Sequence, residues 1–220
     1  MKTLSQLHDA IGKEELEALN AKLDLFKHPS GIEKFIQLGT LRVNIIKDFS
    51  FALPTASAIK TLAELSPLIE IGAGTGFWAK LIEEEGGNIT AFDMYPPNEV
   101  SNHYGFNKCF TDVKKGGPEK LSNFDAHNLF LCWPPYERDM ALDCISNKGW
   151  KGKYLIYIGE YFGCTANEEF HRELALSWRQ IKTIHIPQWP GIHDKMYIYE
   201  RQTQKHEQIP TARACSKDKA

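Results

Sequence analysis

The chain has no excess of either charge: 26 lysines and arginines stand against 28 aspartates and glutamates, for a net charge of −2. The strong positive field of a dedicated nucleic-acid binder is therefore absent, and a polyanionic partner is left possible but unsupported. Cysteine is scarce and scattered. Cys109, Cys132, Cys144, Cys164 and Cys215 are odd in number and form no C-x-x-C pair, which argues against a disulfide framework or a zinc knuckle and for reduced thiols. No spacing of His, Cys and carboxylates satisfies a metal template, so no metal is expected. No stretch approaches the roughly 18 apolar residues of a membrane span. The N-terminus "MKTLSQLHDAIGKEELEALNAKL" carries acidic residues and no unbroken apolar core, unlike a cleaved leader. A soluble, cytoplasmic protein without a membrane partner is expected. Internal repeats and low-complexity blocks are also missing.

What is present is enough apolar content for one core: 220 residues, 42% of them hydrophobic, suit a single domain. Leu4, Leu7, Ile11, Leu16, Leu19 and Leu23 follow a helical spacing that "HPSG" ends, giving an N-terminal helical extension over residues 1–53. Pro54 and Thr55 open a second helix, "PTASAIKTLAEL", because proline suits the start and threonine can cap it. After it come the strand "LIEI", a glycine turn and helix, the strand ending at Asp93, the short segment "CFTDV", the strand "LFLCW" stopped by Pro134-Pro135, and the strand "YLIYIGE". Two alternating strands, "IKTIHIP" and "KMYIYER", close the chain as a hairpin. Strands alternating with helices and then a hairpin predict an α/β fold. Its sheet is seven-stranded and mostly parallel, has helices on both faces and carries a C-terminal antiparallel hairpin. The core domain covers residues 54–201, and residues 202–220 form a polar, flexible tail. Such sheets bind ligands beyond the carboxyl ends of their strands.

In "EIGAGTGF", Gly72, Gly74 and Gly76 follow a strand and open a helix, so the backbone can turn tightly and approach a ligand. A dinucleotide fingerprint wants glycine where Phe77 stands, which demotes NAD and FAD. The G-x-G-x-G spacing is preceded by Glu70 and followed 17 residues after Gly76 by Asp93. This arrangement resembles the cofactor signature of class I S-adenosylmethionine-dependent methyltransferases, with a Rossmann-like fold. The resemblance implies S-adenosyl-L-methionine as cofactor, with Glu70, Gly72, Gly74 and Gly76 around its methionine end. Asp93 would accept from both ribose hydroxyls, and Asp112, placed after the third strand, would stand near the adenine. A carboxylate suits two hydroxyl donors because it offers acceptors only. A loop-capping role for Asp93 and a turn role for Asp112 remain the alternatives.

"CWPPY" stands where amino-methylating members of that family carry Asp, Asn or Ser before Pro-Pro-Tyr or Pro-Pro-Phe. The first residue departs: Trp133 has an indole N–H and no acceptor. Pro134 and Pro135 imply carbonyl groups aimed at the methyl-transfer region. Tyr136 either stacks on a planar substrate or closes the cofactor pocket, and Trp133 lines that pocket or meets a flat or cationic acceptor. Glu160, ending the fifth strand, is a candidate base, with satisfaction by its own loop as the alternative. His193 and Asp194 fall in the hairpin loop and read as solvated, and His185 reads as a structural strand histidine. With "YIGE" and "IPQWPG", "LCWPPY" resembles a little-characterised branch of these methyltransferases. The function expected is methyl transfer to a small or planar acceptor. The alternatives are methylation of an RNA or other nucleic-acid base, and cofactor binding without turnover.

Overall fold

The computed structural model describes residues 32–99, 102–189 and 191–202. The helical reading of the first 30 residues, and the polar tail beyond Gln202, lie outside the described residues. Helix α1 (Ile32–Asp48) leads through a loop to α2 (Ala56–Glu64), whose start is capped as expected by Thr55, its hydroxyl accepting from Ala58 N. The chain continues through β1 (Leu68–Ile71), α3 (Phe77–Glu84), β2 (Ile89–Asp93) and β3 (Val113–Lys115). It then forms β4 (Asn128–Cys132), α4 (Met140–Ser146), β5 (Tyr154–Gly159), α5 (Glu168–Ser177), β6 (Trp178–Ile184) and β7 (Lys195–Arg201).

The seven strands make one Rossmann-like sheet in the order β3-β2-β1-β4-β5-β7-β6. β1 to β5 run parallel, and β7 enters antiparallel between β5 and β6. Strand alternation divides the core into two layers. Leu68 of β1 joins Ile59 and Leu62 of α2, Phe77, Trp78 and Ile82 of α3, and Phe49 and Leu53 of the α1–α2 loop on one face. Ile69 and Ile71 face Ala141 and Ile145 of α4, Phe170 and Leu174 of α5, and Trp150 on the other. Each of these large side chains contributes roughly 1.5–3 kcal/mol by leaving water. β1 is buried along its whole length between two helical layers, its single charged residue, Glu70, included.

Two sequence boundaries shift. β6 begins at Trp178 and ends at Ile184, so His185 lies beyond the strand and is exposed rather than a structural histidine within it. β3 begins at Val113, after the segment that its apolar residues marked. Cys109 and Phe110 instead run beside α3, where Phe110 N donates to Thr75 O at 2.9 Å and its ring packs 5.1 Å from Phe77. Apolar residues packing on a helix look in sequence like a short strand.

The glycine turn joins these layers and tolerates little change. Gly76 has φ 73°, and a Cβ there would lie 2.7 Å from Val113 Cγ2 and 2.9 Å from Thr111 Cγ2. Gly86 has φ 92° with nothing within 4 Å. Gly76→Ala is expected to cost about 2–4 kcal/mol, backbone strain plus overpacking, and Gly86→Ala about 1–2 kcal/mol from strain alone. Urea unfolding of both variants measures the difference, and equal losses would show that packing against β3 contributes nothing.

Candidate active site

From β1 the chain proceeds to β2 and β3 on one side of the sheet, and from β4 to β5 on the other. The helix after β1 packs on one face and the helix after β4 on the opposite face. A crevice opens at the carboxyl ends of two strands whose connections diverge in this way. The glycine turn leaves β1 at this crevice, and Trp133 leaves β4 beside it.

The turn is braced from several directions. Gly72 N and Ala73 N donate to Phe92 O at 2.8 and 3.0 Å, and the Thr75 hydroxyl donates to Phe49 O. Gly72, Gly74 and Gly76 all have positive φ, the region open to glycine at least cost. Asp93 ends β2 and is buried. Its Oδ2 accepts from Gly74 N at 2.9 Å and its Oδ1 from Tyr95 N at 2.7 Å. An ionised carboxylate has about four acceptor positions, so each oxygen keeps one lone pair beyond these bonds. Glu70 points from β1 toward the same layer as Leu68, is buried, and its Oε2 has no hydrogen-bond partner among the described residues. Burial first, and the charge of Asp93 second, push its carboxyl well above the usual range.

Asp112 does not join this group. It immediately precedes β3 and is exposed, so it stands at the amino end of that strand and not after it. The chain leaves β3 through Gly116 and Gly117, where Glu119 Oε1 accepts from Gly117 N at 3.0 Å.

The other side of the crevice belongs to the loops after β4 and β5. Trp133 has φ 52°, and Glu137, Phe162 and Ala166 also lie in the left-handed region, a conformation costing non-glycine residues of order 1–3 kcal/mol and frequent where a ligand is clamped. The loops are bonded to each other: Ala166 N donates to Pro134 O at 3.0 Å and Glu137 N to Ala166 O at 3.1 Å. The Pro134 carbonyl, expected to face the methyl-transfer region, is thus engaged with the neighbouring loop. Trp133 stacks on Phe51 from the α1–α2 loop at 5.6 Å, Arg42 of α1 lies 5.3 Å from the Trp133 ring centre, and Tyr104 meets Phe51 edge-on. Tyr136 is exposed. Of the nine large hydrophobic side chains exposed among the described residues, Met94, Tyr95, Tyr104, Tyr136, Tyr161 and Phe162 all belong to loops after β2, β4 and β5. This concentration on one rim is the pattern of a binding surface rather than of scattered exposure.

Glu160 follows β5, but its carboxylate is spoken for. Oε1 accepts from His193 N at 2.5 Å, and Oε2 accepts from Cys164 N at 3.2 Å and from the Cys164 thiol at 2.7 Å. Burial alone would raise its carboxyl, yet the bonds from Cys164 and His193 outweigh burial and hold it below the ordinary value. A carboxylate so stabilised is a weak base. The hairpin loop also divides: His193 is exposed, while Asp194 is completely buried and accepts from Trp133 Nε1 at 2.8 Å. Phe51 and Arg42 belong to segments distant in sequence from the motifs and no local signal pointed to them, while Asp194, expected to be solvated in the hairpin loop, is buried instead.

No protein-family model and no curated protein matches the sequence. Solved structures do. A crystal structure of Thermoplasma acidophilum 1320 is similar at 14% identity over 76% of this chain and 98% of that one, with a TM-score of 0.45. TrmK of M. capricolum, solved with S-adenosyl-homocysteine, is similar at 11% identity over 67% and 69%, TM-score 0.43. The mitomycin 7-O-methyltransferase MmcR is similar at 11% over 91% and 61%, TM-score 0.46. At this distance a neighbour's substrate says nothing about that of this chain.

The Glu160 bracket joins the β5 loop to the hairpin loop, and its removal has a defined signature. Its folded pKa is lowered, so its stabilisation is fully present above the unfolded pKa and is lost as pH falls through the folded value. Glu160→Gln is expected to cost about 1–3 kcal/mol at neutral pH, because an amide group would face backbone donors. Unfolding measured against pH should show the gap to the wild type narrowing in acid. A gap that did not change with pH would remove the charge from the account.

Proposed function

We propose that this chain is a class I S-adenosylmethionine-dependent methyltransferase acting, in the cytoplasm, on a small or planar acceptor. The observation that carries the reading is the contact between Asp93 Oδ2 and Gly74 N: the two halves of the signature, on separate strands, meet at the crevice where the strand order diverges. The residues fit the cofactor. Asp93 retains acceptor positions for two ribose hydroxyls, and Glu70 Oε2, without a hydrogen-bond partner among the described residues, suits a donor at the methionine end. Gly72, Gly74 and Gly76 let the backbone come close. Bound there, S-adenosylmethionine would supply a methyl group activated by its positive sulfur. The chain's own part is to orient acceptor and cofactor and to exclude water.

The acceptor reading rests on the aromatic rim. Trp133 lines the border between cofactor and acceptor, and Tyr136 offers an exposed face for stacking. Asp112 takes no part, because it stands at the far end of β3. A nucleic-acid base as acceptor finds no phosphate footprint in a net charge of −2. A binding protein without turnover would differ in releasing no S-adenosylhomocysteine with any acceptor.

Calorimetry should show S-adenosylhomocysteine binding, and Asp93→Ala should weaken it at least about tenfold through loss of hydrogen bonds to a charged group. Tight binding of NAD in its place would overturn the assignment. In turnover assays Tyr136→Ala should impair the acceptor's KM or kcat and leave S-adenosylhomocysteine affinity intact. A parallel loss of cofactor affinity would place Tyr136 on the cofactor side.

A further inference from the structure

Position 133 is where the resemblance leads one to expect an acceptor for a substrate amine, and tryptophan can only donate. Its indole N–H donates to Asp194 Oδ2 at 2.8 Å. Asp194 is fully buried, and its second oxygen, Oδ1, has no hydrogen-bond partner among the described residues. A buried acceptor left without a donor costs about 1–3 kcal/mol, a cost that a ligand N–H would relieve. The residue is firmly placed: Gln188 Nε2 donates to its carbonyl at 2.8 Å, and the preceding residue is tied to Glu160 through His193 N at 2.5 Å. Both Glu70 and Asp194 act on the Cys132 thiol, adding to the burial that raises it. Bonded to Trp133, the residue that follows β4, the Asp194 carboxylate lies at the carboxyl end of that strand, beside the crevice.

We infer that Asp194 supplies the acceptor missing at position 133, its free Oδ1 receiving the N–H of the group to be methylated, so that the methyl acceptor is the nitrogen of a planar amine. This rests on the methyltransferase reading above. The nitrogen lone pair forms the new N–CH3 bond as the methyl–sulfur bond breaks, the electron pair of that bond stays on sulfur, and the N–H proton passes to Asp194 Oδ1 and on to solvent. Trp133 aims the carboxylate through its N–H and stacks on the half-buried Phe51, and the acceptor gains access by the side-chain rotamer changes common on binding, at residues other than Trp133. The two carboxylates of this region differ as the roles require. Glu160 is saturated with donors and held low, whereas burial raises Asp194, with Glu160 adding to the rise and Trp133 and Arg42 opposing it. A raised carboxylate is the better proton acceptor.

The test supplies the full-length protein with S-adenosylmethionine labelled with carbon-13 in its methyl group, together with the small-molecule fraction or the RNA fraction of a cell extract. The chemical shift of the labelled carbon identifies the atom methylated, and the fraction shows whether the amine is free or part of a nucleic acid. A methyl group on nitrogen is expected. With the purified acceptor, Asp194→Leu, which removes both acceptor oxygens at similar size, should lower kcat about 100-fold with S-adenosylhomocysteine affinity changed by less than about twofold, which also reports an intact fold. Trp133→Phe, which keeps the charge but removes its aiming donor, should lower kcat by a smaller factor. Methyl on oxygen, carbon or sulfur, or full activity of Asp194→Leu, would overturn the inference and leave the methyltransferase reading standing. Bound S-adenosylhomocysteine with no labelled product from either fraction would overturn turnover and this inference together.

Discussion

A carboxylate at the end of β2 and a backbone N–H at the end of β1 meet at 2.9 Å, and the shape of the crevice follows from that bond. Asp93 holds the glycine turn against its own strand, while the Thr75 hydroxyl on Phe49 and the Phe110 N–H on Thr75 hold it from outside. A turn fixed on three sides has its backbone donors and carboxylate lone pairs positioned before a ligand arrives. That preorganisation lowers the ordering cost of binding. It also explains why the α1–α2 loop is part of the site: Phe49 braces the turn and Phe51 stacks on Trp133, so one loop touches both halves of the crevice.

The half of the crevice formed by the loops after β4 and β5 is built on a different principle. Its backbone is strained at Trp133, Glu137, Phe162 and Ala166, and the strain is held by bonds between loops rather than by packing of one element. Pro134 and Glu137 bond Ala166, Glu160 bonds the hairpin, and Trp133 bonds Asp194. Strands β4, β5 and β7 are thereby linked at their ends as well as along their ladders. Loops so joined keep a precise shape without burying much apolar area, which leaves the aromatic rim free to meet a partner.

The fold was legible in the sequence because largely apolar strands, helical periodicity and the capping residue Thr55 all agree at the local level. The glycine-turn half of the crevice was legible for a similar reason: glycines at φ-demanding positions and a strand-end aspartate are local features. The half formed by the loops after β4 and β5 was not. Glu160 and Asp194 are both acidic residues in loops after strands, and nothing in their neighbours distinguishes a carboxylate saturated by donors from one with an orphan oxygen. Asp112 was misplaced because Phe110 packs on α3, and an apolar residue has the same pattern whether it joins a sheet or covers a helix.

By itself, then, the sequence determined the order of strands and helices, the turn that only glycine can make at low cost, and an indole, which can only donate, at position 133. These depend on backbone conformation and on the donor and acceptor inventory of single residues. Only the tertiary structure decided which carboxylate is saturated and which has a free oxygen, and that Arg42 and Phe51, remote in the chain, stand at Trp133. Those outcomes depend on which groups a folded chain brings within hydrogen-bond reach and which it shuts away from water, and neither distance nor burial is written in the identity of a residue.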